Sequence, residues 1–132
     1  MKRRYIGLAM GAVMAVGAAL SLPGCGHDLQ LVSVTVIPNG ATITGTGVTV
    51  NFQATGTYIH PPETRNITDS VVWASAAPQI ISINANTGVA VSGDACGSNI
   101  TITATAYSDP QTQSGSAVIG QALVSVTQTA CP

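Results

Sequence analysis

Charge is scarce in this chain: only nine of 132 residues are Asp, Glu, Lys or Arg. Three of the four basic residues are Lys2, Arg3 and Arg4, so from Cys25 onward five acids face a single arginine, Arg65. That balance excludes the basic footprint of a nucleic-acid-binding protein. Aromatics are nearly as rare, with one Trp, one Phe and three Tyr. Only two histidines occur, His27 and His60, and neither belongs to a motif. No Gly-x-Ser-x-Gly elbow, HExxH or paired-carboxylate pattern appears, which leaves no recognisable catalytic constellation and no cofactor fingerprint. The reading is therefore non-enzymatic. Helical periodicity is also missing after residue 25.

What is present begins with a segment for targeting. Lys2-Arg3-Arg4 forms a positive n-region, Tyr5–Leu20 an almost unbroken apolar stretch, and Leu22-Pro23-Gly24-Cys25 ends it with a small residue before a cysteine. These residues resemble the lipobox of bacterial lipoprotein signal peptides; Leu22, Gly24 and Cys25 match, while Pro23 stands where a small or β-branched residue is more usual. The resemblance implies removal of residues 1–24, lipidation of Cys25 and a short tether over residues 25–30. Gly26 after the cysteine implies outer-membrane sorting by the habit of that family. An uncleaved anchor is the alternative, because Tyr5–Leu22 spans 18 residues, just enough to cross a bilayer.

The remainder, residues 31–132, reads as one domain. Hydroxyls do the work that charge does elsewhere, with Thr and Ser making up 26 of the 108 residues from Cys25 onward; Thr suits the exposed face of a strand. Short stretches alternate β-branched residues with Thr or Ser, the pattern of strands buried on one face. In Leu31–Ile37, Val32, Val34 and Val36 alternate with Ser33 and Thr35 before Pro38-Asn39-Gly40 turns the chain. A short Ala41–Thr44 piece follows. In Val48–Tyr58, Val48, Val50, Phe52 and Ala54 share a face. Ile59–Asn66 reads as a loop, since Pro61 and Pro62 cannot donate to a ladder. Ile67–Ala74, Ile80–Ile83, Val89–Ser92, Ile100–Ala106 and Ala117–Thr127 complete seven or eight strands, the count of an all-β sandwich. Trp73 is the natural centre of the core, since a Trp side chain buries about 150–250 Å², with Phe52 as its nearest large companion in size.

Cysteine arithmetic is consistent with an oxidising compartment. With Cys25 taken by lipid, Cys96 and Cys131 remain as an even pair. If Ile100–Ala106 and Ala117–Thr127 pair antiparallel, Cys96 lies four residues before the first and Cys131 four after the second, so both fall at the open end of the hairpin. A structural disulfide fits better than a metal pair or a redox couple, because no further ligands and no CxxC spacing accompany them.

The order of motifs then becomes informative. Val34-Thr-Val-Ile-Pro38, Val50-Asn-Phe-Gln-Ala54, Asn66-Ile-Thr68, Val72-Trp-Ala-Ser75, Ile81-Ser-Ile83, Thr87-Gly-Val-Ala90 and Ile100-Thr-Ile-Thr-Ala104 together resemble the bacterial immunoglobulin-like domain, group 2, over nearly all of residues 31–127. The resemblance implies an immunoglobulin-like β-sandwich, usually a repeated module of cell-surface proteins. Here one copy stands alone, with a cysteine pair the family does not require and without the inter-sheet cysteines of antibody domains. A fold of this kind does not itself fix a function.

The expectation is a lipid-anchored, non-enzymatic module of the bacterial envelope with a structural or adhesion role; the alternative is a lipoprotein that binds a glycan or a protein through loops at one end of the sandwich. For such a ligand the candidates are His60, Glu63 and Arg65 in the Ile59–Asn66 loop, together with Tyr107 beside the Tyr107–Gly115 turn. An exposed edge strand augmented by a partner is a further route. Asp69, Asp94 and Asp109, each in or near a loop, raise the question of calcium, but isolated aspartates at strand ends more often bond their own turns. Asn66-Ile-Thr68 and Asn99-Ile-Thr101 match the N-glycosylation sequon, a chance match in the bacterium that the lipobox resemblance implies.

Overall fold

The computed structural model of the protein describes residues 29–129 and 131. Ten strands follow in order: β1 (Gln30–Ile37), β2 (Ala41–Thr44), β3 (Thr49–Asn51), β4 (Gln53–Ile59), β5 (Glu63–Asn66), β6 (Val72–Ser75), β7 (Ile81–Ile83), β8 (Val89–Ser92), β9 (Gly97–Asp109) and β10 (Ser114–Thr127). No helix occurs among the described residues. One sheet has the order β2-β10-β9-β6. The other is built from two pieces, β1-β4-β5 and β3-β8-β7. They join because β3 and β4 are one strand interrupted at Phe52, whose N–H bonds to the Gly88 carbonyl at 2.9 Å. The resulting order β1-β4/β3-β8-β7 facing β2-β10-β9-β6, with β5 added at the edge beside β4, is an immunoglobulin-like β-sandwich of two four-strand sheets.

The chain passes between the sheets at Pro38-Asn39-Gly40. Two bonds guide it there: Gly40 N–H donates to the Leu123 carbonyl at 2.7 Å, and the Asn39 side-chain oxygen accepts from Leu123 N–H at 2.9 Å. The chain thus enters β2 already in register with β10, which it joins in parallel. At the far end of β2, Ser92 Oγ accepts from Val48 N–H and donates to the Gly45 carbonyl, so this buried hydroxyl is fully used.

Trp73 lies at the centre. Its indole is 2% exposed, its ring centroid stands 6.3 Å from that of Phe52, and its Nε1–H donates to the Thr68 carbonyl at 2.9 Å. Leu31, Ile81, Ile102, Val124 and Val126 close the core around the two rings. Gly88 makes that packing fit. It holds φ +78, and a Cβ there would lie 2.8 Å from the Phe52 carbonyl oxygen and 2.9 Å from Trp73 Cε2.

Four expectations are corrected. There are ten strands and not seven or eight, because Val48–Tyr58 divides at Phe52 and an additional strand forms. That strand is β5: Ile59–Asn66 is a hairpin, not a loop, since Pro61 and Pro62 occupy only its turn while Glu63–Asn66 pairs with Thr55–Tyr58. In β1 a register shift between Leu31 and Ser33 reverses the first alternation, burying Leu31 and leaving Val32 45% exposed; a bulge of this kind adds one residue and changes its phase. Finally, strand pairing around Trp73 begins only at Val72; Ile67–Val71 instead makes a turn, with Ser70 N–H bonded to the Ile67 carbonyl.

Gly88→Ala is expected to destabilise the fold by about 2–4 kcal/mol, adding left-handed backbone strain to an overpacked core. Gly40→Ala, at φ +89 with nothing within 4 Å of its Cβ, isolates the strain alone, about 1–2 kcal/mol. Urea unfolding of both variants checks the difference; equal losses would mean that the Trp73 contact is not the constraint.

Candidate functional site

Strand directions sort the loops into two ends. At one end lie the β4–β5 tip, the β9–β10 tip and the start of β1, since Gln30 pairs with Ile59 and Leu29 and Gln30 border the same recess as Ser108 and Asp109. At the other lie Gly45–Gly47, the turn before Ile81, and Cys96 with Cys131.

The first end holds the candidate ligand residues. Glu63 and Arg65 stand two apart on β5 and so project from one face; they form an ion pair. Arg65 is exposed and Glu63 partly so, and a solvent-accessible pair of this kind contributes little to stability. The Arg65 guanidinium lies over the Tyr58 ring, 5.5 Å from its centroid, a cation–π contact. Tyr58 is 3% exposed. Burial holds its phenol above the ordinary value; the Arg65 charge opposes this and the Glu63 charge adds to it. Tyr107, 41% exposed, borders with Tyr58, Leu31, Ile67 and Pro110 a cavity of about 20 Å³, room for about one water molecule. Glu63 and Arg65 are thus brought together, and Tyr107 lines the same small cavity as Tyr58. His60 sits at the hairpin tip with φ 64, exposed.

Tyr58, the last residue of the strand expected over Val48–Tyr58, is buried at the centre of this end. The signal for it was available: Phe52, Ala54, Gly56 and Tyr58 continue one inward-facing alternation, all buried.

At the second end the cysteine sulfurs meet, with Cα atoms 6.3 Å apart, inside the range for a disulfide. Cys96 and Cys131 are separated by 35 residues, so closing that loop is worth about 4 kcal/mol in the chain-entropy model. Gln128 ties the same end together, its amide donating to the Gly93 carbonyl at 2.6 Å and accepting from Thr46 Oγ1 at 3.1 Å. An open groove of about 440 Å³ runs along Cys96, Ser98, Ser125, Thr127, Gln128 and Cys131.

The aspartates do not converge. Asp94 lies beside the cysteine end and Asp109 at the opposite one, where its carboxylate accepts from the N–H groups of Gln111 and Thr112. Bonding to Thr112, side chain first, holds the Asp109 carboxyl below its ordinary value. Among the described residues no group of three or more His, Cys, Asp or Glu is placed to hold a metal. Cys25, with residues 1–24 before it, lies outside the described residues. Compared with known proteins, the chain matches no family model and no curated relative.

The buried phenol gives a pH signature. A folded-state value raised above 10.0 means that the folded protein keeps the Tyr58 proton longer than the unfolded chain does. Stability from this group is full below pH 10 and lost as pH rises through the raised value. Urea unfolding between pH 9 and pH 11 is expected to show that loss in the unaltered protein and a flatter profile in Tyr58→Phe; identical slopes would place the titration elsewhere.

Proposed function

We propose that the chain is a bacterial immunoglobulin-like domain of group 2 carried behind a lipoprotein signal peptide. In this reading residues 1–24 are removed, Cys25 is acylated, the few residues between Cys25 and β1 form the tether, one shorter than the expected 25–30 because Gln30 already pairs with Ile59, and the domain runs from β1 onward. The mature protein acts as a non-enzymatic module of the cell envelope, anchored to the outer membrane, in structure or adhesion.

The observation that carries the reading is the polarity of the sandwich. Leu29 leaves the fold at the end that holds both hairpin tips, only four residues after Cys25. An acyl anchor on Cys25 would hold that end against the membrane, with two or three chains each contributing about 0.8 kcal/mol per buried CH₂. The cysteine end would then stand off by the length of β10, 14 residues, or about 45 Å at about 3.3 Å per residue. A cysteine pair within bonding distance at that end suits the oxidising envelope. The same polarity favours the structural role over the ligand-loop alternative: His60, Glu63 and Arg65 lie on the tether side, facing the surface the anchor would bind.

Intact mass of the protein extracted from its native membrane tests the anchor and the bond together. The expected mass is residues 25–132 plus two or three acyl chains, rising on reduction by the two hydrogens that a disulfide takes up. An unprocessed N-terminus, or thiols free before reduction, would remove the compartment on which the proposal stands. The role itself is read on a glycan array probed with the extracted lipoprotein: a structural module leaves it blank, whereas selective binding that is lost on alanine substitution of His60, Glu63 and Arg65 would establish the ligand-binding alternative.

A further inference from the structure

Of the six asparagines in the chain, only Asn39 is followed by glycine. The neighbour matters because the backbone nitrogen after an asparagine can close on its side-chain carbonyl carbon. A side chain on that next residue stands in the way, and glycine has none. Asn39 and Gly40 are both exposed, Gly40 holds φ +89, and nothing lies within 4 Å of where its Cβ would be. The pair is therefore sterically open. What restrains it is hydrogen bonding to one residue of β10. Gly40 N–H donates to the Leu123 carbonyl at 2.7 Å, and the Asn39 side-chain oxygen accepts from Leu123 N–H at 2.9 Å. The other asparagines precede Phe52, Ile67, Ala85, Thr87 and Ile100, and the side-chain oxygens of Asn66 and Asn84 are spent on their own turns.

We infer that Asn39 is a site of spontaneous deamidation, held closed in the folded protein by Leu123 and opened when the crossover from β1 to β2 parts from β10. The Gly40 nitrogen gives its proton to hydroxide and attacks Asn39 Cγ. A cyclic imide forms as the side-chain nitrogen takes a proton from water and leaves as ammonia. Water then adds to one of the two imide carbonyls and breaks its bond to nitrogen. Opening at the backbone carbonyl leaves isoaspartate, and opening at Cγ leaves aspartate. In sum one water enters, one ammonia leaves, and nothing is oxidised or reduced. The fold opposes the first step, because the proton that must be lost is committed to the Leu123 carbonyl. A bond to the side-chain oxygen also makes Cγ more electrophilic, but that gains nothing while the nucleophile is held. The reaction thus waits for local opening, as amide exchange does. Its products differ in consequence. Aspartate keeps an oxygen within reach of Leu123 N–H. Isoaspartate lengthens the backbone by one carbon and takes Gly40 out of step with the Leu123 carbonyl, so β2 loses the register in which it joins β10.

The test uses the full chain, kept at mildly alkaline pH either folded in buffer or unfolded in concentrated urea. The mass of the proteolytic peptide holding residue 39 follows the change of an amide into an acid. Conversion in buffer is expected to be about tenfold or more slower than in urea, since two bonds must open first. In urea short of unfolding, deamidation and hydrogen exchange at Leu123 N–H are expected to quicken together, which ties the reaction to this crossover. Aged chains enriched in isoaspartate at residue 39 are expected to unfold at lower urea than the unaltered protein, whereas Asn39→Asp, which keeps the acceptor, unfolds close to it. Equal rates in buffer and urea, no conversion in urea, or deamidation that stays constant while Leu123 exchange quickens would each overturn the inference. A loss of stability in Asn39→Asp as large as in the isoaspartate form would overturn the assigned role of the register.

Discussion

The sandwich depends on one contact between its sheets, the Trp73 indole pressed against the Gly88 backbone and tilted onto Phe52. Strand β6 brings Trp73 from one sheet, and the Phe52 interruption brings its ring from the other. Gly88 lies under both and holds Phe52 in register through its carbonyl. The indole N–H, which would be costly to bury unpaired, is satisfied by the Thr68 carbonyl. That bond fixes the turn between β5 and β6, and the turn in turn supplies Thr68 Oγ1 and Ile67 N–H to Ala54. Antibody domains set a disulfide beside the corresponding tryptophan. Here aromatic packing occupies that place, and the cysteine pair sits instead at the end of the sandwich, where it restrains β10.

Period-two alternation made most of the strands legible, and it also concealed where the sheets divide. Val50, Phe52 and Ala54 all point inward whether or not the strand breaks at Phe52, so the handover from β8 to the β4 ladder leaves no trace in the pattern. Strand β5 was hidden for the opposite reason. Glu63-Thr64-Arg65-Asn66 has no apolar residue, and an edge strand lying outside the core needs none; such charged edges also deter pairing with another chain. The Pro61-Pro62 pair excludes ladder bonds only at its own positions, and a tight turn is where those bonds are dispensable. The phase of β1 was misread because a bulge is invisible among consecutive apolar residues: Leu31 and Val32 are equally suited to burial, and only the register with β4 decides between them.

The candidate site was legible as a region and not as an arrangement. His60, Glu63 and Arg65 drew notice as the most individual surface chemistry after Cys25, and Glu63 and Arg65 form an ion pair. Their organising residue is Tyr58, whose ring supports Arg65 from the core side. Distances of this kind follow from β5 pairing with β4, which no local signal announced. The cysteines were easier, because hairpin geometry alone carries both ends of an antiparallel pair to one place.

Charge economy links these observations. A chain with few ionisable groups presents hydroxyls in their place, and a β-sheet displays those hydroxyls as a regular Thr surface. Among the described residues the acids lie in turns or at strand ends, where Asp109 caps its own backbone. This distribution divides the molecule by position. One end carries ionic and aromatic groups close to the start of the domain. The other is stiffened by sulfur and by the Gln128 amide. Between them runs a broad neutral face. Charge at either end would orient the module against other charged surfaces without holding it tightly, since exposed charges are screened beyond about 8 Å at physiological salt.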